Sequence, residues 1–248
     1  MTRILGSVRN PQEAELLLQT SVAILDLKDP ARGALGAADP VTVRQVVEQV
    51  QGRRHISAAA GEADGEDVLE QAHRLSLEGV DFVKVGFSRP SQQALLPKFR
   101  VAIAAPVHAV AVLFVDCPEI EPMQWVEPAR MAGFAGLMLD TADKRSGPLD
   151  RHVDLIQTTN WVQATRESGL LCGLAGRLDA ETARCFLSAR PDYLGFRSAL
   201  CSRSVRTGPI CLKTTLKLLR TLREYATELP ELPPTGRMRP ALVCDRML

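Results

Sequence analysis

The stretch Val22-Ala-Ile-Leu-Asp26-Leu-Lys28-Asp29-Pro30 is an aliphatic run that ends in charge and a proline. It reads as a strand, because Pro30 cannot continue it and the run is too short for a helix. Arg32-Gly33-Ala34-Leu35-Gly36 follows as a flexible turn, and Val41 to Val50 then carries the apolar period of a helix. One strand, one glycine-bearing loop and one amphipathic helix form a βα unit. The same alternation runs outward in both directions. Further strands are predicted at Arg3 to Val8, His55 to Ala60, Asp81 to Gly86, Ala109 to Val115, Phe134 to Leu139, Leu170 to Leu174 and Tyr193 to Phe196. Helical patterns lie at Pro11 to Gln19, Glu66 to Glu78, Leu149 to Ser168 and Leu212 to Glu228. Eight such units in 248 residues match the size of a (β/α)₈ TIM barrel, assigned to residues 1–228 as a single domain. A doubly wound sheet is the alternative, but neither GxGxxG nor GxxxxGK[ST] is present. Residues 229–248 read LPELPPTGRMRPALVCDRML, a Pro-rich C-terminal tail expected to carry no catalytic residue.

Composition narrows the function. Lys and Arg number 30 against 29 Asp and Glu, a net charge of +1, which argues against nucleic acid and anionic membranes as partners. Aromatic residues are only 4%, so the core must be aliphatic. The apolar run from Val101 to Val115 is broken by Pro106 and His108 and is too short to cross a bilayer. With no signal-peptide pattern at the N-terminus, a cytoplasmic protein is expected. Cysteines at 117, 172, 185, 201, 211 and 244 form no CxxC pair, and His55, His73, His108 and His152 have no ligand spacing, so no metal site is expected. His55 opens a strand, whereas the other three histidines are expected on helices or loops. Cys172 reads as core filling. A homo-oligomer is compatible with the sequence.

In a barrel the reactive groups belong at the C-terminal ends of strands. Three strands carry charge there: Asp26 and Lys28 on one face of the second, Lys84 inside Asp81-Phe-Val-Lys84-Val-Gly86 of the fourth, and Asp140 with Lys144 after the sixth. A lysine in a buried strand is costly unless it is paired or its pKa falls. A lowered pKa makes it a Schiff-base nucleophile or a general base. The plainer alternative is structural, with Asp26 pairing Lys28 and Asp140 pairing Lys84 as buried ion pairs. Anion binding is expected from the loops after strands seven and eight, Gly173-Leu-Ala-Gly176-Arg177 and Gly195-Phe-Arg197-Ser198, with Arg197 offering a charged fork. Gly33 and Gly36 supply a second such segment.

Taken together in order, Asp26-Leu-Lys28-Asp29-Pro30, Gly33-Ala-Leu-Gly36, Asp81-Phe-Val-Lys84-Val-Gly86, Met138-Leu-Asp140-Thr141-Ala-Asp143-Lys144, Leu174-Ala-Gly176 and Gly195-Phe-Arg197 resemble the (5-formylfuran-3-yl)methyl phosphate synthase family. The resemblance runs from about Ile24 to Ile210. It implies a cofactor-free TIM-barrel lyase that condenses two molecules of glyceraldehyde 3-phosphate through a Schiff base, releasing phosphate and water. The product would serve methanofuran or methylofuran biosynthesis in one-carbon metabolism. It further implies that Lys28 is the Schiff-base residue and Lys84 the proton acceptor, with Asp26, Asp140 and Lys144 at further active-site positions. The chain departs from the family where Ala34 replaces a serine and where Ser198 to Gly208 replaces a glycine-rich stretch, adding Arg203 and Arg206 as phosphate partners. Val101 to Glu119 also diverges, apart from Asp116. Two rival readings use the same parts: a class I aldolase or isomerase acting on a phosphorylated sugar, and a non-catalytic barrel that binds a phosphorylated ligand.

Overall fold

A computed structural model describes residues 2–64 and 67–229. The Pro-rich segment after Leu229 lies outside the described residues, as does Glu66. Eight parallel strands close into a barrel in sequence order: β1 (Arg3–Val8), β2 (Ile24–Leu27), β3 (His55–Glu62), β4 (Phe82–Phe87), β5 (His108–Phe114), β6 (Gly136–Asp140), β7 (Leu171–Leu174) and β8 (Tyr193–Phe196). Closure is made by β1 on β8, with Leu5 opposite Gly195 and Gly6 opposite Phe196. The helices are α1 (Pro11–Leu18), α2 (Pro40–Val50), α3 (Val68–Ser76), α4 (Leu96–Ala102), α5 (Val126–Met131), α6 (Leu155–Glu167), α7 (Ala180–Leu187) and α8 (Leu212–Thr227). The TIM-barrel expectation therefore holds.

Most differences from the expected elements have a local cause. The single helix expected over Leu149 to Ser168 is broken into a 3₁₀ turn at Leu149–Arg151 and α6. Asp154 takes extended backbone and accepts the Gln157 N–H at 2.8 Å, so its carboxylate starts a new helix. β3 runs past its expected end to Glu62 through a bulge between Ala59 and Gly61, where Gly61 has φ +120°. His108 begins β5 and does not lie on a helix or loop. Asn10, Asp39 and Asp179 cap α1, α2 and α7 through their side chains, which satisfies helix N–H groups beside the barrel mouth.

Strand alternation divides the aliphatic residues between two cores. Val8, Leu25, Ala58, Val83, Val85, Ala111, Leu113 and Leu137 point outward and pack under the helices with Leu17, Val43, Phe99, Trp125, Trp161 and Phe186. Leu5, Ile24, Ala59, Phe82, Val110, Val112, Phe114, Met138 and Tyr193 fill the barrel interior. Burial of each large side chain contributes about 1.5 to 3 kcal/mol, so an aromatic-poor chain has ample apolar surface to close the barrel. The interior filling reaches Phe114 at the end of β5, and charged residues interrupt it at Asp26 on β2, at Lys84 in the middle of β4 and at Asp140 at the end of β6.

Candidate active site

Asp26, on β2, is fully buried and its two oxygens are both used. Oδ1 accepts the Ser57 hydroxyl at 2.6 Å and pairs with Lys84 Nζ, while Oδ2 accepts the Ser7 hydroxyl at 3.1 Å. These partners stand on β3, β4 and β1, so one carboxylate joins four strands. Asp140, at the end of β6, accepts Lys144 Nζ at 2.5 Å and the Thr141 N–H at 2.8 Å. Lys144 also reaches the Thr141 carbonyl. Burial pushes the Asp140 carboxyl up, but Lys144, Lys28 and the Thr141 N–H outweigh it and hold it below the usual range. The ion pairs are thus Lys84 with Asp26 and Lys144 with Asp140. Neither of the expected pairings, Asp26 with Lys28 or Asp140 with Lys84, is made.

Lys28, directly after β2, is left over. Its backbone N–H is held by the Val8 carbonyl at 3.1 Å, yet its ammonium has no ion pair or hydrogen bond among the described residues. It is 8% exposed, and burial lowers its pKa to about 8. Asp140 and Asp26 oppose that shift, and Lys84 and Lys144 add to it only after them. Burial, more than neighbouring like charge, is what frees the amine.

A cavity opens at the C-terminal mouth, lined by Asp26, Lys28, Asp140, Lys144, Gly176, Gly195, Arg197 and others. Lys84, 2% exposed, is not on its wall. It faces a second, small cavity in the N-terminal half of the barrel, with Arg3, Phe82, Val110 and Tyr193. Asp26 stands between the two.

The glycines and Arg197 differ from expectation. Gly176, at φ +111°, and Gly195 line the mouth, but Gly173, Gly33 and Gly36 do not. Gly173 sits opposite Tyr193 in the β7–β8 register, where an added Cβ would fall 2.2 Å from that ring, so its smallness serves the aromatic residue. Gly36 lets the β2 loop fold back, because a Cβ would lie 2.1 Å from the Asp29 carbonyl. Arg197 reaches the mouth with every N–H already engaged. Nη1 and Nη2 fork onto Glu13 at 2.5 and 3.1 Å, and the remaining donors go to the carbonyls of Ser7, Arg206 and Gly208 at 3.1, 2.9 and 2.8 Å. It cannot also present a free fork to a phosphate.

Several residues of the site were either not singled out from the sequence or, like Asp116 and Arg177, named there without a role of their own. Ser7 and Ser57 hold Asp26, and strand alternation alone places both inward. Glu13 gave no signal, since an acidic residue in the first turn of a helix is ordinary. Arg177 lines the mouth and donates Nη1 to the Lys144 carbonyl at 2.7 Å. Asp116 accepts the N–H groups of Ala142 and Asp143 at 2.6 and 2.8 Å, which fixes the loop that carries Lys144. Glu62, at the end of β3, has its carboxyl raised by burial and by Asp64 and Asp116. Among the described residues no group of three or more His, Cys, Asp or Glu is placed to hold a metal ion, and no helix is long and apolar enough to cross a membrane.

These features define a parallel (β/α)₈-barrel protein whose mouth holds one unpaired buried lysine between two lysine–carboxylate pairs. The family described as 4-HFC-P synthase matches residues 4–218, and the chain belongs to that family. A Methylorubrum extorquens protein named as a candidate (5-formylfuran-3-yl)methyl phosphate synthase is 38% identical over 206 residues, covering 82% of this chain and 84% of that one. The (5-formylfuran-3-yl)methyl phosphate synthase of Archaeoglobus fulgidus is 25% identical over 233 residues, covering 89% and 99%. A synthase role follows from these relatives. Among solved structures, phosphoribosyl anthranilate isomerase from Thermus thermophilus superposes with a TM-score of 0.63 at 16% identity, covering 92% of this chain and 99% of that one. For 3-hexulose-6-phosphate synthase from Salmonella typhimurium the values are 0.62, 14%, 92% and 99%. At those identities the likeness is one of fold.

Proposed function

We propose that this chain is a lyase that condenses two molecules of glyceraldehyde 3-phosphate into (5-formylfuran-3-yl)methyl phosphate through an imine on Lys28. The observation that carries the reading is the division of the three lysines. Lys84 and Lys144 each have a carboxylate in contact, whereas Lys28 has none and is held near pKa 8. An amine that titrates just above neutrality, inside a cavity, is the group suited to attack an aldehyde carbon.

The balance is simple. Lys28 adds to the carbonyl of the first triose and water leaves, giving an imine that acidifies the neighbouring C–H. Removal of that proton gives an enamine, whose carbon bonds to the aldehyde of the second triose. Ring closure then releases the amine, and the furan is reached with an overall loss of one phosphate and two waters. No electrons are exchanged with an outside partner. The Lys84–Asp26 pair is net neutral both as ammonium with carboxylate and as amine with carboxylic acid. When the C–H proton passes to the Asp26 side, the pair gains the one positive charge that the iminium loses in becoming an enamine, so the total charge of the buried site is unchanged. Asp140 and Lys144 face the same cavity and serve as the acid for the departing oxygens.

Borohydride reduction in the presence of glyceraldehyde 3-phosphate, followed by peptide mapping, tests the assignment. A stable label on Lys28, an ultraviolet band from a furan aldehyde and release of inorganic phosphate are expected. A six-carbon aldol or dihydroxyacetone phosphate as the sole product would establish the aldolase or isomerase reading instead. An unlabelled, unreactive protein would leave the ligand-binding barrel.

A further inference from the structure

The mouth carries more positive charge than the chemistry above uses. Five cations line it, Lys28, Lys144, Arg177, Arg197 and Arg206, against the two carboxylates of Asp26 and Asp140. Arg197 is neutralised by Glu13, and Asp26 by Lys84 just beneath it. Apart from Lys28, the cations left over, Arg177 and Arg206, sit on the side of β7 and β8.

Arg206 is the residue in question. It lies on the loop between β8 and α8 and is half-buried, and desolvation lowers its pKa. Its Nη2 donates to the Gly33 carbonyl, so the side chain reaches from the β8 loop to the β2 loop at the mouth. Its Nε and Nη1 donors have no protein acceptor among the described residues. The loop that carries it is pinned from below, because Arg197 donates to the carbonyls of both Arg206 and Gly208. Arg177, on the loop after β7, faces the same cavity and also keeps donors free, being tied among the described residues only through Nη1 to the Lys144 carbonyl.

We infer that Arg206 and Arg177 form the site for a phosphate monoester dianion, and that Arg197, locked to Glu13, is a positioning residue that aims Arg206. Only one Nη2 hydrogen is spent on Gly33, so the second Nη2 hydrogen still forms an adjacent pair with the free Nε or Nη1 hydrogen. Such a fork matches two oxygens of a phosphate, and the half-buried setting strengthens that contact relative to water. The site gives the phosphorylated substrate of the proposed reaction its handle, and to that extent it rests on the reading above. The phosphate itself can arrive on the triose or as the free product ion.

Calorimetric titration of the whole protein with inorganic phosphate tests the site without turnover. Arg206→Gln is expected to weaken binding at least tenfold and Arg177→Gln about threefold. Arg206→Lys should recover part of the loss. Arg203→Gln, on the same loop but off the cavity wall, should bind as the unaltered protein does. Phosphate binding that is undetectable in the unaltered protein, unchanged in Arg206→Gln, or equally weakened in Arg203→Gln would overturn the site. Two further arms separate the sources and the dependence on mechanism. KM for glyceraldehyde 3-phosphate should rise at least tenfold in Arg206→Gln, whereas borohydride labelling of Lys28 by unphosphorylated glyceraldehyde should not change. A weakened titration with an unmoved KM would overturn the assignment to substrate. Loss of the Lys28 label in the unaltered protein would remove the imine mechanism and leave the phosphate titration standing. Glu13→Gln separates the positioning role: weaker phosphate binding with Arg206 intact is expected, and unchanged binding would refute it.

Discussion

The two halves of the barrel mouth handle charge in opposite ways. On the side of β2, β4 and β6, lysines and aspartates stand on or just after the strands, paired two and two, with Lys28 over. On the side of β7, β8 and α1, the strand-borne cation Arg197 is consumed by Glu13 and by carbonyls, and the uncommitted cations, Arg177 and Arg206, are carried by loops. A buried charge on a strand must be satisfied where it stands, because the strand cannot move it to water. Whether it does chemistry depends on its partner count. Among the described residues Lys28 has none, which under the proposed reaction leaves it free to react, while Arg197 has no donor left and can only hold structure.

Replacing Lys28 is the severest way to probe the first half. Lys28→Met is expected to cut furan formation by three orders of magnitude or more, about 4 kcal/mol or above at 1.36 kcal/mol per tenfold. Lys144→Met should cost less, because it removes a partner of Asp140 and not the attacking amine. Product formation followed by ultraviolet absorbance measures both, and equal losses would erase the distinction between paired and unpaired lysines.

The second half is broken through stability. Glu13→Gln leaves Arg197, 7% exposed, without its counter-ion, and removing one member of a buried pair costs about 3 to 5 kcal/mol. Urea unfolding should show that loss, with Arg206→Gln within about 1 kcal/mol of the unaltered protein, as for most substitutions on a partly exposed loop. If the two variants unfold alike, Arg197 is not the fixed member and Arg206 the free one.

The two halves also differ in how they can be read from sequence. A lysine or aspartate inside an aliphatic strand is an anomaly, and the period of two places it inward without a structure. Asp26, Lys28, Lys84 and Asp140 were legible for that reason, as were all eight strands. Their pairing was not, because which carboxylate meets which amine depends on barrel closure and on register between strands far apart in the chain. Arg197 shows the same limit more sharply. At a strand end beside glycines it looks like an anion ligand, and nothing local reveals that its partner is Glu13, 184 residues away on the first helix. The glycines misled in a related way: Gly173 and Gly36 are small for packing and turn closure, and sequence alone cannot separate that need from backbone approach to a ligand.

Lys28 also sets stability against function. Its pKa is about 8 in the fold and 10.5 when exposed, so the unfolded state binds more protons between those values and folding is disfavoured as pH falls through that window. The penalty is complete below about pH 8. Lys28→Met removes it and is expected to stabilise the protein by up to about 3 kcal/mol at pH 7, at 1.36 kcal/mol per pKa unit. The gain should shrink steadily from pH 8 upward and vanish near pH 10.5. Denaturant unfolding at pH 7 and 9.5 checks the sign. A loss of stability at pH 7 would mean that Lys28 is paired after all.

The smallest effect belongs to Asp116, and it asks whether a loop on the lysine half is as dependent on its anchor as the Arg206 loop is on Arg197. Asp116 holds two backbone N–H groups of the loop after β6, at Ala142 and Asp143, one residue before Lys144. Lys144 has further restraints of its own through Asp140, the Thr141 carbonyl and Arg177. Asp116→Ala therefore loosens the loop without releasing the ammonium, and a reactive group displaced by a fraction of an ångström costs much less than one removed. A fall of roughly tenfold in kcat with KM nearly unchanged is expected, about 1.4 kcal/mol. Asp116→Asn, which keeps one acceptor oxygen for the two N–H groups, should recover part of it. A hundredfold loss would show that Lys144 is placed by its loop and not by Asp140, and the two halves of the mouth would then be built on the same plan.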